Sequence, residues 1–305
     1  MDLTIIVVSY NTRDLLRRCL QSLATCPCAC QAEIVVVDNA SSDGSAEMVR
    51  EEFPQARLMP QDRNLGYAAA NNLALAGLRA RYALILNSDI EVRPGALDAL
   101  VGFMDATPHA GMAGAKLVLP DGTVQSTWPH GFTLGEFIRQ QLYLDRLPTR
   151  ANGQLLAMSE PVEVPHLHGA CLLVRREALQ QVGLLDEGYF MYCEDSDWCL
   201  RFRQAGWKLF YVPAAEMLHH HGASSRQARA EMIAAYNLAA ARYFRRHGSS
   251  WQGLLARAAG LTGSSLRLLG AVLLTLVTLG LHPGLRRRTG LFARALGLQL
   301  RRGLP

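Results

Sequence analysis

Three segments decide the fold: LTIIVVSYN at residues 3–11, EIVVVDNASSDGS at 33–45 and LILNSDIEV at 84–92. Each begins with an aliphatic run and ends in polar residues, as strands buried on both faces do. Helical patterns lie between these segments; at 12–24, for example, four leucines follow a Thr at helical spacing. This alternation predicts a parallel sheet covered by helices.

The predicted elements continue along the chain, and the polar ends of the early strands point to a site. Further helices are expected at 45–53, 67–80 and 94–106, with Pro94 in the first helical turn, and a short strand at 57–59. After about residue 112 the pattern changes, with strands at 114–119, 170–174 and 209–212 and helices at 194–206 and 226–247. Ligands of such sheets bind beyond the carboxyl ends of the strands, where Ser9, Asp38 and Asp89 fall.

Composition excludes intrinsic disorder, and the distribution of charge separates a mildly acidic part of the chain from a basic tail. Half of the 305 residues are hydrophobic and 19% are charged, enough for a core. The N-terminus has no basic region or cleavage site, so we expect no secretory signal there. Eleven arginines and no acidic residue follow Glu231, so the tail carries +11 and the rest −6. This asymmetry predicts an anionic partner for the tail, either nucleic acid or a membrane.

The turn after the first strand excludes two kinds of nucleotide site. Ser9-Tyr10-Asn11-Thr12 has no glycine for a dinucleotide-binding turn, and no phosphate-binding GxxxxGK[ST] loop is present. A divalent cation is then the obvious neutraliser of nucleotide phosphates, with Asp89 as a ligand. His219-His220-His221 could supply a second ligand, although neighbours in an extended chain point to opposite sides. Turn, cap or polar-loop roles remain the alternatives for these residues.

An acidic cluster, Glu194-Asp195-Ser196-Asp197-Trp198, begins a predicted helix. Acidic residues favour a helix N-terminus for electrostatic reasons alone. The aromatic segment 188–192 precedes them, however, and would make a partly dry pocket in which a carboxylate could act as a general base. Asp197 and Trp198 could instead serve capping and packing.

The seven cysteines indicate neither a disulfide framework nor a strong metal site. They are odd in number and unevenly spread, which favours a reducing compartment. Cys26-Pro27-Cys28-Ala29-Cys30 looks like a zinc knuckle but lacks a fourth nearby ligand, so a plain loop is the favoured interpretation.

In this order the segments resemble glycosyltransferase family 2, the inverting enzymes of GT-A fold, and most closely the rhamnosyltransferase-like branch of bacterial polysaccharide assembly. To the three segments above the resemblance adds four more, and together they cover most of residues 3–225: RNLGYAAANN (63–72), HGACLLVRREAL (168–179), LLDEGYFMYCEDSDWCLRFRQAGW (184–207) and HHHGASS (219–225).

The resemblance implies a fold and a domain division. The fold is α/β, with a Rossmann-like, mostly parallel central sheet, flanking helices and a basic, apolar helical tail. We expect a catalytic domain over 1–225, with a nucleotide-sugar half at about 1–111 and an acceptor half at about 112–225. The tail occupies 226–305.

The resemblance also assigns roles to residues. Asp195 corresponds to the catalytic base, and Glu194, Asp197 and Trp198 would lie on the acceptor side. The cation, Mg²⁺ or Mn²⁺, would be held by Asp89, as the last residue of a DxD motif, and by His219 or His220. The nucleotide-sugar side would comprise Ser9, Tyr10, Asn11, Asp38, Asn64, Ser88 and Asp89. The first Asp of DxD is Asn87 here, which puts strict metal dependence in question.

The expected activity is inverting transfer of a sugar, with dTDP-rhamnose as the first candidate donor, to a hydroxyl of a lipid-linked or polysaccharide acceptor. The uncharged stretch 268–281 is short for a bilayer about 30 Å thick, so we expect the tail to lie on the cytoplasmic face of the cell membrane. A single span from about Leu261 and a solvated basic helix pair are the alternatives for the tail. A sugar nucleotidyltransferase, or a nucleic-acid-binding protein using the tail, is the alternative function.

Overall fold

The computed structural model describes residues 1–125, 131–144, 158–220, 228–279 and 281–301. Nine strands are described: β1 Leu3–Ser9, β2 Ala32–Asp38, β3 Arg57–Pro60, β4 Tyr82–Asn87, β5 Ile90–Val92, β6 Ala110–Val118, β7 Val162–Glu163, β8 Cys171–Arg175 and β9 Lys208–His219. The helices, numbered here in order, are α1 Arg13–Thr25, α2 Ser45–Glu52, α3 Tyr67–Leu75, α4 Ala96–Ala106, α5 Leu134–Gln141, α6 Arg176–Val182, α7 Glu194–Gln204, α8 Arg229–His247, α9 Ser250–Val277 and α10 Pro283–Arg301.

These elements confirm the predicted α/β sheet with flanking helices and a helical tail. The strand order is β3-β2-β1-β4-β8-β6-β9-β5, and β7 pairs with β9. The first four strands are parallel, as the sequence predicts. Strand β8 runs antiparallel to both β4 and β6, so the complete sheet is mixed.

Apolar alternation along the strands builds a core on both faces of the sheet. In β1, Leu3, Ile5 and Val7 pack in one buried cluster, whereas Ile6 and Val8 pack in the other. Helix α1 buries its apolar stripe against the first cluster through Leu16, Cys19, Leu20 and Leu23. Because both faces are covered, the sheet edge at the strand ends is left for polar residues.

Several predicted boundaries are wrong, each for a local reason. Helix α4 begins after Gly95, which takes a left-handed conformation as its N-cap, so Pro94 lies outside the helix. Helix α3 ends at Leu75. Strand β5 is too short to give a sequence signal, and β9 continues through Pro213 to His219 with a register shift in its pairing with β6.

The cysteine loop forms one feature that the sequence analysis did not predict. Cys28 and Cys30 form a disulfide across one residue, in the loop between α1 and β2, and the other five cysteines are free. The segment is otherwise the plain loop expected.

The described residues divide into two compact units. The first holds 1–125, 131, 158–190 and 194–220, and contains the whole sheet. The second holds 132–144, 191–193, 228–279 and 281–301, so it includes α5 and a short segment before α7 as well as the tail helices.

Buried amides fix the register of the helices in the second unit. Asn237 donates to the Gly260 carbonyl and to Gln299 Oε1, at 3.1 and 3.0 Å, and accepts from Gln141 at 3.1 Å. Gln299 in turn donates to Ser264 Oγ at 2.8 Å. All four amide and hydroxyl side chains are at most 3% exposed, so each depends on the others for its hydrogen bonds.

Two glycines predict opposite effects on stability. Gly66 has φ +85°, and an added Cβ would collide with the carbonyl oxygen of Phe190, so we expect Gly66→Ala to lower the free energy of unfolding by about 1–3 kcal/mol. Gly102 lies exposed within α4 with nothing within 4 Å of an added Cβ, so Gly102→Ala should raise it by about 0.5–1 kcal/mol. Urea unfolding measures the change in free energy for each variant. Equal effects of the two substitutions would contradict the left-handed backbone conformation assigned to Gly66.

Candidate active site

Strand register brings the predicted residues to one edge of the sheet. Ser9 pairs with Asp38 across β1 and β2, and Val8 pairs with Asn87 across β1 and β4. His219 stands opposite Ile90 where β9 pairs with β5, directly beside Asp89. Residues more than 200 positions apart in sequence therefore meet at this edge.

Asp89 and His219 face each other at this edge. His219 Nε2 lies 3.2 Å from Asp89 Oδ1, and both side chains are almost fully buried. His220 turns away, and its Nε2 pairs with Glu91 Oε1 at 2.6 Å. His219 is thus the histidine that geometry joins to Asp89, while His221 lies outside the described residues.

The donor set at Asp89 fits a divalent cation. His219 Nδ1 lies 2.5 Å from Gln125 Oε1. When Nδ1 donates to that oxygen, Nε2 has a lone pair, and this nitrogen and Asp89 Oδ1, 3.2 Å apart, can bind the same cation. Among the residues that the structure describes, no group of three or more His, Cys, Asp or Glu is suited to a metal. A donor diphosphate and water would have to complete the coordination.

Asp195 is held at the start of α7 by the loop before β8. Its Oδ2 accepts from the Gly169 N–H at 2.9 Å and its Oδ1 from the Ser196 N–H at 2.7 Å. His166 Nε2 lies 3.8 Å from Oδ1 and 3.0 Å from Ser196 Oγ. An added Cβ on Gly169 would lie 3.1 Å from Asp195 Oδ2, so this close approach favours glycine.

The two adjacent carboxyl groups differ in their protonation. Burial would raise the pKa of Asp195, but the neighbouring imidazoles of His166 and His168 and the Gly169 N–H hold it well below its usual range. Burial, with the neighbouring Asp195 charge, raises the pKa of Glu194 well above its usual range. Asp195 is therefore the carboxylate that can accept a proton, and Glu194 favours the neutral acid.

Asp197 and Trp198 make contacts inside the fold. Asp197 is fully buried and accepts from Arg201 Nε at 2.8 Å. Trp198 is fully buried, donates to the Gly183 carbonyl at 2.9 Å and packs edge-on against Phe202. These contacts favour the packing alternative over an acceptor-side role for both residues.

The residues predicted to contact the nucleotide sugar line the same edge. Thr12 Oγ1 lies 3.0 Å from the Ser9 hydroxyl and 2.9 Å from the Ser88 hydroxyl. It therefore links the end of β1 to the residue that follows β4. Asp38 Oδ2 accepts from the Ser41 N–H, while its buried Oδ1 has no hydrogen-bond partner. That orphaned acceptor is suited to a hydroxyl or N–H of a ligand.

Asn11 and Asn64 order the neighbouring loops. Asn11 has φ +51°, and its Oδ1 accepts from the Ser42 N–H at 2.7 Å. Asn64 Oδ1 accepts from Asn39 Nδ2 and from the Gly66 N–H, both at 2.9 Å. Tyr10 lies half-buried beside Ser9. Ligand contacts by these residues remain predictions.

Sequence analysis missed the loop that connects the two halves of the site. The His168 ring packs edge-on against the His219 ring, with centroids 6.1 Å apart, while the next residue, Gly169, donates to Asp195. His166 and Tyr67 were also missed. The HGAC segment at 168–171 was noted only as part of the resemblance, although its histidine and glycine were the available signal.

Comparison with known proteins identifies the family of the chain. The model of the family "Glycosyl transferase family 2" matches residues 4–183. N-acetylglucosaminyl-diphospho-decaprenol L-rhamnosyltransferase of Mycobacterium tuberculosis is 34% identical over 269 residues, covering 82% of this chain and 86% of the relative. Rhamnosyltransferase WbbL of Escherichia coli is 29% identical over 168 residues, covering 51% of this chain and 62% of the relative.

Solved structures show the same fold. The mannosyltransferase PcManGT of Pyrobaculum calidifontis, in complex with GDP-Man and Mn²⁺, superposes with a TM-score of 0.56 at 19% identity, covering 98% of this chain and 86% of that one. GalNAc-T7 with UDP, GalNAc and Mn²⁺ gives a TM-score of 0.54 at 18% identity, covering 72% and 44%. The chain belongs to glycosyl transferase family 2 and is a glycosyltransferase of the hexosyltransferase class.

Proposed function

We propose that this glycosyltransferase moves rhamnose from dTDP-rhamnose to a hydroxyl of a lipid-linked or polysaccharide acceptor with inversion. The observation that carries the proposal is the contact of one dipeptide, His168-Gly169, with both His219 and Asp195. It joins the predicted diphosphate side to the predicted base in one site. The Mycobacterium tuberculosis relative, an L-rhamnosyltransferase named for a decaprenol diphosphate substrate, supports the choice of sugar and acceptor class.

Each half of the site has a chemical task in this reaction. Asp195, kept ionised, accepts the proton of the acceptor hydroxyl as that oxygen attacks the anomeric carbon from the face opposite the diphosphate. Asp38 receives the donor's nucleoside through its orphaned oxygen. Asp89 and His219 would hold a Mg²⁺ or Mn²⁺ ion, which when bound stabilises charge on the departing diphosphate. The sugar nucleotidyltransferase and nucleic-acid-binding alternatives gain no support from the site or from the comparisons.

The second unit supports peripheral attachment to a membrane. One described helix, α9, is long and apolar enough to cross a bilayer by length and composition alone. Its exposed face is apolar, with Trp251, Leu254, Leu255, Leu266, Leu269, Leu273, Leu274, Leu276 and Val277. Three exposed arginines, at 286–288, follow near the start of α10. Each would contribute about 1 kcal/mol to binding a surface of anionic headgroups.

Packing of α9 against α8 favours a surface position over a span. Gly253 and Gly260 of α9 lie so close to α8 that an added Cβ would meet Arg245 and Asn237. A spanning α9 would therefore draw α8, whose last turn carries Arg245, Arg246 and His247, against the membrane. We propose that α9 lies in the cytoplasmic leaflet with its apolar face toward the lipid tails.

Replacement of Asp195 tests the base. We expect Asp195→Asn to lower the rate of rhamnosyl transfer at least 100-fold because the amide cannot accept the hydroxyl proton. dTDP should still bind, as calorimetry can measure. Asp121→Asn, in an exposed turn, is the matched control and should leave transfer unchanged. Near-native turnover by Asp195→Asn would refute the assignment, and formation of dTTP from dTDP-rhamnose and added pyrophosphate would indicate a nucleotidyltransferase.

Neighbouring histidines test the cation site. His219→Ala should raise the Mn²⁺ concentration for half-maximal transfer at least tenfold, since one of two protein ligands is lost. His220→Ala removes only the pair with Glu91 and should leave that concentration within about twofold. Titration of a metal-stripped enzyme with Mn²⁺ measures both, and equal effects would contradict the choice of His219.

Membrane attachment has a separate test. Leu276→Glu with Val277→Glu places two charges on side chains that are 65% and 80% exposed. Burial of each aliphatic side chain contributes about 1.5–3 kcal/mol, so we expect at least a tenfold loss of sedimentation with vesicles containing anionic phosphatidylglycerol. Leu73→Glu, on an exposed leucine of the first unit, is the control. Unchanged sedimentation of the double variant would exclude this face as the anchor.

A further inference from the structure

The Tyr67 hydroxyl lies between the two sides of the site. It is 2.8 Å from Asn87 Oδ1, at the end of β4, and 2.8 Å from the carbonyl oxygen of Gly169, in the loop that holds Asp195. Tyr67 therefore connects the strand that leads to Asp89 with the loop that donates to Asp195.

A single phenolic proton cannot be donated fully to two acceptors. The oxygen and nitrogen of an asparagine amide are assigned from the hydrogen-bond network. Both contacts are satisfied when Asn87 Nδ2–H donates to the Tyr67 oxygen and Tyr67 O–H donates to the Gly169 carbonyl. Burial raises the pKa of Tyr67 well above its usual range, so the phenol keeps its proton.

The same arrangement gives a reason for asparagine at position 87. An ionised carboxylate at position 87 could only accept hydrogen bonds. The Tyr67 O–H would then donate to that carboxylate, and the Gly169 carbonyl would lose its donor. Gly169 has its N–H on Asp195 Oδ2 at 2.9 Å. A change at its carbonyl would therefore be transmitted to the proposed base.

The backbone of Tyr67 is also fixed from the acceptor side. Its N–H donates to the Phe190 carbonyl at 2.8 Å. Gly66, just before it, lies too close to Phe190 to accept a Cβ. These two contacts fix the backbone position from which the Tyr67 side chain extends.

We propose that Tyr67 is a positioning residue that relays a hydrogen bond from the Asn87 amide to the Gly169 carbonyl and so aligns Asp195 with the donor side. This inference rests on the proposed function, in which Asp195 is the base. It assigns Asn87 the part of a hydrogen-bond donor, a part that aspartate cannot take.

Tyr67→Phe tests the relay, with Tyr82→Phe as the matched control. The Tyr82 hydroxyl donates to Asp105 at 2.7 Å, away from the site, so its loss should cost similar stability and leave turnover unchanged. For Tyr67→Phe we expect kcat for rhamnosyl transfer to fall about tenfold, with KM for dTDP-rhamnose and Kd for dTDP within about twofold. Equal kcat for the two variants would overturn the proposal.

Asn87→Asp supplies the second arm. The relay predicts that it lowers kcat like Tyr67→Phe, and that the double variant is little worse than either single variant, because both break the same link. A rise in kcat for Asn87→Asp, or multiplying losses, would also overturn the proposal. If Asp195→Asn retained turnover, the proposed function itself would fail; if Asp195→Asn were inactive and Tyr67→Phe fully active, only the relay would fail.

Discussion

Parallel pairing of β1 with both β2 and β4 is the constraint on which the site depends. Because these strands run in the same direction, their carboxyl ends meet at one edge, and the register sets Ser9 beside Asp38 and Val8 beside Asn87. Strand β9 then returns in parallel with β6 and reaches Asp89 through its antiparallel pairing with β5. A slip of one residue in any pairing would turn the functional side chains into the core.

Much of this framework can be predicted from the sequence because it follows from local pattern. Continuous aliphatic runs predict the positions of β1, β2 and β4, and periodic leucines predict α1. Asp89, Asp195 and the histidine run could be singled out through their position after a strand, at a helix start and within a resemblance. Strand β5 could not, since three residues give no period.

The relations between distant residues could not be predicted. That His219 and not His220 faces Asp89 depends on which side of β9 meets β5, and register is not visible in one strand alone. Tyr67, His166 and Gly169 act through partners tens of residues away or more, so no local spacing marks them. Asn87 looked like a defect in a metal motif, whereas the structure gives its amide a hydrogen-bonding partner.

The adjacent Glu194 and Asp195 show how environment separates two similar groups. Asp195 is surrounded by backbone N–H groups and histidines, while Glu194 is buried with one oxygen lacking any partner. The same helix start thus holds one charged and one neutral acid. Such divergence is typical of functional sites.

The amide cluster around Asn237 has a consequence for how the tail can be moved between proteins. Since Gln141, Ser264 and Gln299 come from three different helices, none of these helices carries a complete set of partners by itself. A chimera that borrows only α9 and α10 would bring Ser264 and Gln299 without Asn237 and Gln141. The transferable module is therefore α5 together with α8, α9 and α10.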